Sequence, residues 1–179
     1  MDRWTTCQPE AGLRLVLAAS DRGLCRLSFD GTEPGPRDDG HPMLRSTVGQ
    51  LEEYFRGKLR EFRVPLDLRG TRFQVEVWQA LLRIPYGETR SYAEIAEEIG
   101  NPKAVRAVGH ANGSNPIAII VPCHRVVASG GGLGGYGGGL DLKGRLLTLE
   151  AEVAASSGQP HTPLQRPVLA ARFYSPRLF

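Results

Sequence analysis

The chain of 179 residues holds only three cysteines, Cys7, Cys25 and Cys123, and no apolar run long enough to cross a bilayer. An odd number of cysteines at such wide spacing forms neither a disulfide framework nor a CxxC metal pair. Cys25 lies in an alternating apolar run and reads as a small core residue. The first ten residues, MDRWTTCQPE, lack the apolar core of a signal peptide, so a cytoplasmic protein with no membrane partner is expected. The glycine-rich stretch 128–139 lacks the Gly-Lys-Ser/Thr ending of a phosphate loop.

What is present is ordinary in bulk and uneven in detail. Hydrophobic residues make up 41% and charged residues 23%, which suits a globular chain large enough for one large domain or two small ones. Charge is unevenly placed: residues 1–100 hold 14 Lys/Arg against 16 Asp/Glu, whereas 101–149 hold five basic groups against Asp141 alone. That local excess fits an anionic partner such as nucleic acid, or a solvated basic face.

The first half predicts a β-hairpin from residues 12–18 and 23–29, then a loop over 30–41. A helix follows over 42–56, with Leu44, Val48, Leu51 and Phe55 on one face and Gly57 as its stop. A short strand over 60–66 would complete a small α/β domain ending near Gly70. The second half predicts helices over 73–84 and 92–99, the latter opened by a Ser91/Glu94 capping box and closed by Gly100. Asn101-Pro102 then supplies an N-cap and a first-turn proline for a helix over 103–112. Two short helices across a tight turn have helix-turn-helix spacing, which ordinary αα-corners share. A strand over 117–121 leads into Pro122-Cys123-His124-Arg125, a final helix spans 142–154, and residues 155–179 read as a loose tail. The domains are therefore expected at 1–70 and 71–154.

Cys123 is followed by His124, with Arg125 and Lys143 as nearby positive charge and Glu150 as an acceptor able to hold the imidazole. Neighbours in extended chain point to opposite sides, so His124 would reach the thiol through a turn or a bridging water. Spacing alone leaves both a Cys–His nucleophile and a buried structural thiol open.

The segments PYGETRSYAEIA, PCHRVV and GYGGGLDLK, spread between Phe73 and Glu150, resemble the O6-alkylguanine–DNA alkyltransferases, also called methylated-DNA–protein-cysteine methyltransferases. The resemblance implies an α/β, ribonuclease-H-like N-terminal domain and a mainly α C-terminal domain with a helix-turn-helix. It implies direct-reversal repair, in which the alkyl group of O6-alkylguanine moves irreversibly to Cys123, one lesion per protein. His124 would deprotonate the thiol through a water, and Glu150 would orient the histidine. Arg106 would fill the stack vacated by the flipped base, and Tyr92 would help drive its rotation. Double-stranded DNA would be bound through the minor groove, where the small residues of 104–113 permit close approach. In the pocket, the carbonyls of Cys123 and Val126 would accept the exocyclic amine, an amide near Gly137 would donate to the oxygen, and Asn115 would support the turn; Tyr136 belongs to the same pocket.

The sequence also departs from the pattern. Gly137 stands where some relatives have a serine, so a backbone donor survives and a hydroxyl contact does not, and the glycine-rich loop, with Gly134 where threonine is common, predicts a mobile lid. Cys7 and Cys25 lack well-placed histidines, His41 lying in a loop, so neither zinc nor another cofactor is expected. The ending SPRLF resembles short peptides that dock on bacterial sliding clamps. A non-catalytic relative would have lost Cys123, an operator-binding regulator would need base-reading side chains on its helix, and a Cys–His hydrolase would leave the helix-turn-helix unexplained.

Overall fold

The computed structural model describes residues 1–29, 31 and 35–156. Its N-terminal part is an antiparallel sheet in the order β1 (Arg3–Glu10), β2 (Leu13–Ala19), β3 (Leu24–Ser28), followed by α1 (Pro42–Phe55). Alternation along β2 assigns the faces. Leu15, Leu17 and Ala19 join the main core with α1, while Val16 and Ala18 pack with Trp4 and Cys25 on the other side. Both faces are thus covered, which is why five consecutive residues of β2 are buried.

The hairpin and α1 lie where the sequence predicts them, but the third strand does not. It is β1, whose Arg3↔Ala19 to Cys7↔Leu15 register pairs with β2, and the 60–66 stretch forms no strand. There Pro65 has no N–H to give, and the backbone of Arg63 is satisfied by a side chain instead. Its N–H donates to Gln50 Oε1 at 2.7 Å and its carbonyl accepts from Gln50 Nε2 at 3.3 Å. Only the single bridge Leu24↔Leu66 ties the stretch to β3.

The C-terminal part is helical: α2 (Arg72–Leu81), α3 (Tyr92–Glu98), α4 (Val105–Gly113) and α5 (Leu140–Ala155), with a two-residue parallel pair of β4 (Arg90–Ser91) and β5 (Val126–Val127). Reciprocal capping boxes start α2 at Thr71/Gln74 and α3 at Ser91/Glu94. Gly100, at φ +70°, ends the segment after α3. Asn101 makes no side-chain cap; Pro102–Ala104 forms a single 3₁₀ turn, so α4 begins at Val105. α4 packs on both α2 and α3, and Trp78 Nε1 donates to Ala111 O at 2.8 Å to fix that crossing.

The expected strand over 117–121 is a buried series of turns. Ile120 N–H bonds to Ala118 O at 2.8 Å and Val121 N–H to Ile117 O at 3.0 Å, so the chain folds on itself and pairs with β3 only through the isolated bridge Leu27↔Ile117. Ile119 holds φ +70°, a conformation that a β-branched residue adopts only under strong local constraint. Asn115 supplies that constraint, accepting from Ile117 N–H at 3.0 Å and donating to Val121 O at 2.8 Å. The two parts meet here, since Leu27 N–H donates to Pro116 O and Ala118 N–H to Leu27 O. Residues 157–179, with nearly all of the tail and its SPRLF ending, lie outside the described residues. No helix among the described residues is long and apolar enough to cross a membrane.

Candidate active site

The turns after Asn115 deliver Cys123 to a single 3₁₀ turn, Cys123–Arg125, at the wall of a cavity of about 140 Å³. Asn112, Asn115, Tyr136, Gly137 and Phe29 share that wall, so the N-terminal β3 end, α4 and the glycine-rich loop all contribute. Cys123 is 5% exposed. Burial pushes its thiol up, while Asn115 and the charge of Lys143 pull part of the way back. The resting sulfur is therefore a thiol at neutral pH, and it needs a base when it reacts.

A group able to act as a base is adjacent. The 3₁₀ turn carries His124 away from solvent altogether, and its Nε2 lies 2.9 Å from Glu150 Oε1. With the carboxylate on Nε2, that nitrogen carries the proton and Nδ1 holds the lone pair. Nδ1 is buried without a hydrogen-bond partner among the described residues. Burial holds the imidazole below its ordinary value, only partly offset by Glu150.

Glu150 is the most heavily bonded buried side chain among the described residues. Its Oε1 accepts from Tyr54 Oη at 2.7 Å, His124 Nε2 at 2.9 Å and Arg125 Nη2 at 2.9 Å. Its Oε2 accepts from Arg125 Nε at 2.8 Å and Gly87 N–H at 3.1 Å. Burial alone would raise this carboxyl, but the His124 ring and the Arg125 guanidinium hold it well below the usual carboxylate range. Arg125, expected to supply positive charge beside the thiol, is thus committed to Glu150 and to Ile84 O at 2.7 Å. Lys143 is the cation that senses the sulfur; burial lowers it to about 8, and its ammonium donates to Val126 O at 2.6 Å.

The comparison with known proteins points to one family. A methylated-DNA–protein-cysteine methyltransferase from Mycolicibacterium paratuberculosis is 64% identical over 161 residues, spanning 88% of this chain and 97% of the relative. The chain belongs to that family. Residues 4–68 match the 6-O-methylguanine DNA methyltransferase ribonuclease-like domain, and residues 72–152 match the DNA binding domain of the same family. A second methylated-DNA–protein-cysteine methyltransferase, from Methanosarcina acetivorans, is 52% identical over 141 residues, 76% of this chain and 90% of that one. The crystal structure of Mycobacterium tuberculosis OGT in complex with DNA superposes with a TM-score of 0.78 at 51% identity, covering 84% of this chain and 94% of that one. The fold is accordingly a ribonuclease-like α/β domain joined to a helical DNA-binding domain.

Within this methyltransferase fold, the residues singled out in the sequence, Val126 apart, separate into three groups. Cys123, Asn115, Tyr136 and Gly137 line one cavity. His124 and Glu150 form a buried relay behind it. Arg106 is exposed on α4, and Tyr92 lies half-buried at the start of α3. The Tyr92 ring sits against the glycine-rich loop: a Cβ at Gly134 would meet its hydroxyl at 2.6 Å, and Gly134 holds φ +69°. Val126 is buried outside the cavity lining, its carbonyl accepting one hydrogen bond from Lys143. Sequence reasoning missed Tyr54, Gly87 and Asn112. Tyr54 was findable, because 44, 47, 51 and 54 are one helical face and all four are buried; the polar Thr47 hides the period.

Acid stability follows from the two relay groups, and both act in the same direction. The folded His124 refuses a proton that an unfolded histidine takes below about 6.5, so stability drops as pH falls through that value. Glu150 is depressed, so its contribution is full above its unfolded value of about 4.5 and is lost on further acidification. Thermal melting between pH 8 and pH 4 is expected to show a decline that begins near pH 6.5. A midpoint flat down to pH 5 contradicts the assignment of His124 as buried and neutral.

Proposed function

We propose that this chain repairs O6-alkylated guanine in double-stranded DNA by moving the alkyl group to Cys123. The observation that carries this reading is the arrangement at the cavity: the thiol on its wall, His124 next in chain with a buried Nδ1 that has no hydrogen-bond partner among the described residues, and Glu150 2.9 Å from Nε2. A thiol held protonated by burial gains nucleophilicity only as its proton leaves, and general-base help of this kind is worth about 10²–10⁴ in rate. Nδ1 takes the proton of Sγ through a bridging water. The S–C bond forms as the bond from the alkyl carbon to O6 breaks, and guanine departs with the electron pair and takes up a proton. The product thioether is neutral and has no facile reverse route, so each molecule acts once.

The lesion must leave the stack to reach the cavity, at a cost of a few kcal/mol. The exposed face of α4 supports a minor-groove approach. Arg106, Ala107, His110 and Gly113 are exposed there, and Lys103 is exposed on the 3₁₀ turn just before the helix, a mixture of polar and small residues. Arg106 is the side chain suited to fill the gap left by the flipped base, and Tyr92, at the start of α3 and against the glycine-rich loop, is placed to bear on the rotating nucleotide. The amide of Gly137 on the cavity wall suits the guanine oxygen. The relatives' names and the Mycobacterium tuberculosis OGT complex with DNA support the same substrate class.

The test is intact and peptide mass after mixing the protein with a duplex carrying one O6-methylguanine. One methyl on the Cys123 peptide, saturating at one per protein, is expected. Tight binding of the lesion with an unmodified protein would replace this reading with damage flagging.

A further inference from the structure

We propose that Tyr54, on α1 of the N-terminal domain, is a positioning residue for alkyl transfer that acts through Glu150 on the base His124; this rests on the repair reading above. Its hydroxyl donates to Glu150 Oε1 at 2.7 Å across 96 positions of sequence. The ring is fully buried and braced by Phe55, Phe62 and Tyr86, with ring centroids 5.4, 5.3 and 6.1 Å away. Burial and the neighbouring carboxylate push the phenol far above its ordinary value, so it is a permanent donor. Tyr54 does not line the cavity, so it is not a catalytic residue.

Its effect comes from sharing one oxygen. Oε1 receives Tyr54, His124 and Arg125 together, more donors than it has lone pairs. Tyr54 therefore draws on negative charge that His124 would otherwise share with Arg125 alone, and it helps stop the carboxylate from turning. Without the hydroxyl, Glu150 is freer to move and binds the imidazole proton more strongly. Among the described residues, the other groups that act on the ring are Lys143 from α5, Arg125 beside it in the chain, and Tyr136 of the glycine-rich loop, whose ring centroid is 6.3 Å away. None of these comes from the N-terminal domain, which reaches the relay through Tyr54.

Tyr54→Phe deletes the donor and keeps the ring. Two readouts are compared in the full chain: single-turnover methyl transfer from an O6-methylguanine duplex between pH 5 and 8, and the histidine ring titration by NMR without DNA. The variant is expected to take up one methyl per protein, with transfer slowed roughly tenfold by the loosened geometry. Its His124 titration and the acid limb of the rate profile should both move to higher pH. A wild-type rate with an unmoved titration overturns the proposal, leaving Tyr54 as packing. Phe62→Leu loosens the same ring while sparing the hydroxyl, and is expected to lower the melting temperature without moving the acid limb. An equal pH shift in that variant also overturns the proposal. Wild-type protein that takes up no methyl overturns the repair reading instead, and the DNA-free titration still decides whether Tyr54 governs His124.

Discussion

Glu150→Gln is expected to lower the stability of the protein by about 3–5 kcal/mol, the usual loss when one partner of a buried ion pair is removed. The carboxylate is wholly buried and takes a two-pronged bond from Arg125, itself 7% exposed. Glutamine keeps the shape but leaves the guanidinium buried without its counter-ion. It also points an N–H₂ group at donors, since Tyr54, His124, Arg125 and Gly87 all give hydrogens to this site. Against a total stability of about 5–15 kcal/mol, that loss is a large fraction. Urea unfolding measures it, and a change under 1 kcal/mol would contradict the network described. Adding Arg125→Met should recover part of the loss by removing the stranded cation, with a favourable coupling in the double-mutant cycle. Recovery should be incomplete, because Tyr54, His124 and Gly87 still lack their anionic acceptor.

The second large effect concerns chemistry rather than folding. Cys123→Ala is expected to abolish methyl uptake while binding a lesion-bearing duplex about as well as the wild type. Removing Sγ takes one atom from a cavity wall and a weak contact with Asn115, a change of about 1 kcal/mol in a buried site. The other thiols offer no substitute. Burial, with Glu52 nearby, raises Cys7 to about 12, and burial, with Asp2 nearby, raises Cys25 to about 11. Residual methylation in the alanine variant, located by peptide mass, would show that the acceptor had been misassigned. Collapse of lesion binding would show that the sulfur serves recognition as well as transfer.

Sequence pattern made the helices legible wherever a capping box or a terminating glycine marked an end, as at Ser91/Glu94, Gly57 and Gly100. It failed where side chains, rather than periodicity, decide the backbone. The apolar run 117–121 has strand composition, yet Asn115 captures the backbone groups of Ile117 and Val121 and turns the chain back. The strand expected over 60–66 was lost to Gln50 in the same way, and β1 went unread because its alternation is broken by Thr5, Thr6 and Cys7. At the site, Cys123, His124 and Glu150 could be paired from residue type and resemblance. The real assignment of Arg125 could not, because a guanidinium next to a thiol in sequence gives no sign that it turns toward α5.

The Glu150 carboxylate also fixes when, in the life of the chain, reactivity appears. Its donors come from α1, from the turn at Gly87 and from the 3₁₀ turn at Cys123–Arg125, and the longest of these closures spans 96 residues. Contacts so distant in sequence form late, after the local helices and the hairpin have already paid their entropy. A partly folded molecule that lacks these closures is expected to have a cysteine but no fully oriented base, so that reactivity and finished topology arrive together.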